Sequence, residues 1–127
     1  MAMFDGAGAQ LYYQLSGQTG PVVVLIHGGG CTHADWHAVT ETLASDHRVL
    51  AMDLRCHGAS GGGIADCSID LWAADVNRLI DALGLAPAVL VGHSLASRIV
   101  VEAAWQRPGN CAAVARASAE HGAAISA

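Results

Sequence analysis

The stretch Val89-Leu90-Val91-Gly92-His93-Ser94-Leu95-Ala96 constrains this chain more than any other. An apolar run of strand type passes straight into Gly-His-Ser-Leu-Ala, and a helical pattern follows at once. Strand, sharp turn and helix with a Ser at the apex is the setting of a nucleophile elbow. The turn forces that Ser into a strained backbone conformation, so its neighbours must be small. Gly92 meets this demand. Ala96 stands where a second Gly is usual, and it adds only one methyl. A Ser at this point also sits at a helix N-terminus, whose free N–H groups can stabilise an oxyanion.

A Gly-x-Ser-x-Ala string is short enough to arise by chance. Two further segments give it context. Val22–Ile26 is a continuous apolar run that ends in His27-Gly28-Gly29-Gly30. Val49–Leu54 is another, ending in Arg55-Cys56-His57-Gly58-Ala59-Ser60. Three strands with these tails, in this order, resemble the α/β-hydrolase superfamily over about residues 8–107. The nearest part of it is the cofactor-independent group of esterases, C–C hydrolases, haloperoxidase-like enzymes and aminopeptidases. The resemblance implies an α/β fold with a mainly parallel sheet and flanking helices, truncated here after the elbow helix. It implies no cofactor and no metal.

Composition narrows the class. Hydrophobic residues make up 53% and charged residues 13% of the 127, which marks a globular chain. The net charge of −5 and the lack of a basic stripe argue against nucleic acid. No apolar run approaches the roughly 18 residues of a membrane span. Met1–Asp5 lacks the basic and apolar regions of a signal peptide, so a cytoplasmic location is expected. The four Cys (31, 56, 67 and 111) contain no Cys-x-x-Cys pair, and reduced thiols are the expectation.

Along the chain, 10–16 reads as an antiparallel edge strand. Residues 22–26, 49–54 and 88–91 read as buried parallel strands. Helices are expected at 34–44, 69–83 and 95–106. Ser68 is the N-cap of the second, Gly84 ends it, and Pro87 prevents resumption. Residues 1–109 form the domain part. The Ala-rich 110–127 reads as an incomplete or disordered tail, closer to a frayed helix than to a strand. Ala88–Val91 would then be an open edge, Ile99, Val100 and Ala103 would be partly exposed, and the chain would self-associate.

Ser94 is the candidate nucleophile. The resemblance implies an oxyanion hole from the backbone N–H of Leu95 and one from Gly29, with Gly30 second. It also implies an acid and a His downstream of the Ser. Downstream of Ser94, Glu120 and His121 stand side by side as an acid and a His. His121 as base is set against the plainer reading of an exposed tail residue, which is preferred. His27 and His57 read as loop-shaping, Asp53 and Arg55 as braces of the turn after their strand, and Trp36 and Trp72 as core. His93 should point away from the apex. Cys56 stands where the family usually has Gly, and Cys31 lies near the Gly run.

Two functional readings follow. One is a serine hydrolase acting on an ester, thioester or related acyl or C–C bond of a small molecule, impaired for want of a clear acid and His. The other is a non-catalytic N-terminal fragment that associates with another chain.

Overall fold

The computed structural model describes residues 2–118 and 124–126. Their strands form one sheet in the order β1-β2-β4-β3-β5-β6-β7. The strands are β1 (Ala2–Gly6), β2 (Ala9–Ser16), β3 (Val22–Ile26), β4 (Arg48–Met52), β5 (Ala88–His93), β6 (Cys111–Ser118) and β7 (Ala124–Ser126). β3 runs parallel to both β4 and β5, and β5 runs parallel to β6. β1, β2 and β7 are joined antiparallel at the margins. The helices are α1 (His37–Leu43), α2 (Ile69–Leu83) and α3 (Ala96–Gln106).

Strand alternation explains the two sides of the core. Val22, Val24 and Ile26 face α2 and α3, beside Leu50, Leu79, Ile80 and Ile99. Val23 and Leu25 face the other way, with Val49, Ala51, Trp36 and Leu43. β3 is therefore apolar at every position because both of its faces are covered. α2 has the expected bounds: Ser68 Oγ accepts from Leu71 N at 3.2 Å, and Gly84 closes the helix at φ 65°.

Several expectations are corrected. The segment expected as one helix over 34–44 is a 3-10 turn, His33–Trp36, followed by α1. Thr32 starts that turn early by accepting from Ala34 N. β2 is not the edge of the sheet, because β1 pairs outside it.

The largest correction is at 111–118, expected as a frayed or disordered tail. It is strand β6, paired along β5 from Cys111 opposite Ala88 to Ala117 opposite His93. The unpaired N–H and C=O groups of an interior strand demand partners, and that demand outweighs the poor strand propensity of Ala. Ala88–Val91 is therefore no open edge, and the premise for self-association through it is absent. Ile99, Val100 and Ala103 are likewise fully buried, with α2 and β6 packed around α3.

Candidate active site

The elbow forms as its sequence requires. β5 ends at His93, α3 begins at Ala96, and Ser94 between them has φ 56°. That left-handed conformation is costly for a residue with a Cβ. It is held from several sides. Ser94 N donates to Ala117 O on β6 at 2.9 Å. Ser94 O accepts from Ser97 N at 2.9 Å and from Ser97 Oγ at 2.6 Å. Gly92 cannot be replaced freely, because a Cβ there would overlap the Ala96 carbonyl. The Ser94 side chain is exposed.

The loop after β3 lies directly against this apex. A Cβ on Gly28 would stand 3.4 Å from Ser94 Cβ, and one on Gly29 would stand 3.1 Å from Leu95 Cδ2. Gly30 has φ 76° and open space around it. It is the third residue of a turn closed by Cys31 N donating to Gly28 O at 3.1 Å. The structure thus brings Gly28, Gly29, Ser94 and Leu95 together and turns Gly30 outward. Beside the elbow a cleft of about 250 Å³ is lined by Ile69, Ser97, Arg98, Val101, Glu102 and Arg116.

His27 and His57, near this end of the sheet, are already engaged. His27 is buried, and its Nε2 accepts from Leu54 N at 2.9 Å. The proton therefore sits on Nδ1, which donates to Gly28 O at 2.7 Å. Burial pushes the His27 pKa down, against the Gly28 carbonyl, which pushes it up. A neutral ring thus ties the end of β3 to the end of β4. His57 Nδ1 lies 3.0 Å from Arg55 O, with its ring between His27 and Trp72. His93 meets Trp36 edge-on at 6.4 Å, and its Nδ1 lies 3.1 Å from where a Cβ on Gly28 would stand. Trp72 is core, and Trp36 packs on the α1 side of the sheet.

Asp53 and Arg55 brace the turn after β4. Asp53 is fully buried and accepts from His33 N, His33 Nδ1 and Ala59 N at 2.7–2.8 Å. Burial alone would raise its pKa, but these three bonds outweigh it and hold the carboxyl below its ordinary range. Arg55 grips Asp75 with Nε and Nη2 at 3.0 and 2.9 Å and reaches Ala7 O at 2.6 Å. Sequence reasoning missed His33 and Asp75. Asp75 sits on the buried face of α2, a position normally apolar, and that mismatch was the available signal. His33 opens the short 3-10 turn before α1, and its sequence carries no such signal.

Among the described residues, no His or carboxylate hydrogen-bonds the Ser94 hydroxyl, and no cluster of three or more His, Cys, Asp or Glu is placed to hold a metal. His121 and Glu120 fall outside the described residues. Cys31 donates weakly to Gly29 O, and the Asp35 carboxylate holds its pKa above the usual thiol range.

The match to known proteins agrees with this geometry. A profile of the alpha/beta hydrolase fold matches residues 21–126. The chain belongs to the α/β-hydrolase fold family. It is 38% identical over 95 residues to protein phosphatase methylesterase 1 of Rattus norvegicus, covering 70% of this chain and 25% of that one. A thermophilic esterase from Thermogutta terrifontis superposes with a TM-score of 0.81 at 28% identity, over 87% of this chain and 41% of that one. A Pseudomonas aeruginosa protein described as an epoxide hydrolase superposes at 0.83 and 30% identity, over 92% and 39%. The chain spans under a third of the length of the curated relatives it matches. No helix among the described residues is long and apolar enough to cross a membrane.

Proposed function

We propose that Ser94 is the nucleophile of an acyl hydrolase whose substrate is a small-molecule ester, thioester or related acyl compound. The observation that carries this reading is Ser94 at φ 56° at a strand-to-helix apex, with Gly29 against Leu95. In that arrangement the N–H of Leu95 heads the first turn of α3, where backbone donors have no helical partner. With the N–H of Gly29 opposite, it would stabilise the oxyanion formed when Ser94 Oγ attacks a carbonyl. Gly30, facing away, is the weaker donor. An apical Ser favours a covalent acyl-enzyme over the epoxide chemistry of one structural neighbour, which calls for a carboxylate nucleophile at that place.

Among the described residues no base, imidazole or other, hydrogen-bonds the Ser94 hydroxyl. Ser is a weak nucleophile until a base takes its proton. The 127-residue chain by itself is expected to be slow, and the second reading is a non-catalytic role in association with another chain. Labelling with a fluorophosphonate separates the two readings. Attachment to Ser94, lost in Ser94→Ala, supports the hydrolase. A native chain that stays unlabelled, while a full-length esterase control is modified, supports the second.

A further inference from the structure

Cys56 and Cys67 take no part in the chemistry proposed for Ser94, yet the fold brings them together. Cys56 has φ 73°, a conformation that Gly adopts without strain. Its N–H donates to Gly61 O at 2.8 Å and its thiol to Gly63 O at 3.1 Å. Cys67 stands just before Ser68, the N-cap of α2, and its thiol donates to the same Gly63 O at 3.6 Å. The two thiols thus converge on one carbonyl oxygen. Both residues are half-buried, so a small reagent can reach them. Cys31 lies beside Gly29 O and the Asp35 carboxylate, and Cys111 bonds Ala113 O.

We propose that Cys56 and Cys67 form an oxidisable dithiol, a disulfide-forming site whose oxidant is a low-molecular-weight disulfide such as oxidised glutathione. Burial, then the neighbouring Cys67 thiol, pushes the Cys56 thiol up to about 11, with Asp66 adding to the push and Arg55 opposing it. The reaction can begin at Cys67. Its thiolate attacks one sulfur of the reagent, a mixed disulfide forms on Cys67, and one small thiol leaves. That capping removes Cys67's share of the push on Cys56. Cys56, as thiolate, then attacks the Cys67 sulfur and expels the second small thiol. Two protein thiols are oxidised to one disulfide, and one small disulfide is reduced to two thiols. The link would clip the turn after β4 to the start of α2 and fix the loop whose Ala59 and Ser60 hold Asp53.

The test is incubation of the folded 127-residue chain with oxidised glutathione, alkylation of the remaining thiols, and peptide mapping without reduction. The free thiols should fall from four to two, with a single cross-linked peptide joining Cys56 to Cys67. Cys56→Gly, which suits the left-handed turn and keeps the fold, should stop at a glutathione adduct on Cys67. Circular dichroism checks that it remains folded. Four unreacted thiols in the native chain, separate adducts without a cross-link, or a cross-link through Cys31 or Cys111 would overturn the proposal.

Discussion

His33 holds Asp53 twice, with its backbone N–H and its ring Nδ1 each 2.7 Å from the same carboxylate oxygen. With Ala59 N on the other oxygen, the carboxylate has few sites left for any catalytic task. Asp53 instead joins the turn after β4 to the loop after β3, and the glycines that face Ser94 belong to that loop. Asp53→Asn should cost about 2 kcal/mol at neutral pH, the scale of bonds to a charged acceptor. Thermal unfolding of both proteins at pH 7 measures it.

The same group sets an acid limit. The Asp53 pKa is lowered on folding from its ordinary 3.8. The native state then binds fewer protons than the unfolded state, so its contribution is full above 3.8 and is lost as pH falls through the lower native value. His27 acts in a higher window. Its pKa is also lowered, from 6.5, so the unfolded chain takes up a proton first and stability begins to fall below about that pH. Denaturation midpoints should decline in two stages between pH 7 and pH 3. Asp53→Asn should flatten the lower stage and leave the upper one.

Arg55 and Asp75 form a paired charge inside the core, both nearly inaccessible. Asp75→Ala leaves the guanidinium buried without its partner and should cost roughly 3–5 kcal/mol. Arg78, which also reaches Asp75, is partly exposed and can return to water. Its replacement by Ala should cost less than about 1 kcal/mol. Urea denaturation of the two variants compares them directly, and equal losses would contradict this account of the pair.

The elbow trades stability for position. Ser94 pays the left-handed cost that Gly avoids, so Ser94→Gly should stabilise the fold by about 1 kcal/mol. Gly92→Ala should do the opposite, by about 1–3 kcal/mol or more, because its methyl would overlap the Ala96 carbonyl. Opposite shifts in melting temperature are the expected result. A destabilised Ser94→Gly would show that the side chain, and not the backbone, dominates at the apex.

What could be read in the sequence is what local chemistry fixes. β3 and β4 are apolar runs bounded by turns, α2 carries its own cap and stop, and the elbow needs its small residues on the spot. β6 had no local signal, because alanines become a strand only when β5 offers a partner. β1 was missed for a similar reason: its alternation is short, and its pairing with β2 makes it a strand. The glycines around Ser94 were legible as a motif, and their contact with Leu95 follows from β3 and β5 being neighbours. The His33–Asp53 bond joins residues 20 apart through a loop, and no periodicity marks such a contact.

The central claim is that the elbow makes Ser94 an acylation site while the described residues leave it without a base. Incubation with an activated acetate ester, followed by peptide mapping and kinetics, tests both halves. The account predicts acetyl on Ser94, absent in Ser94→Ala, with turnover far below the roughly 1–1,000 s⁻¹ of ordinary enzymes. Steady turnover in that range, or hydrolysis that survives Ser94→Ala unchanged, would contradict it.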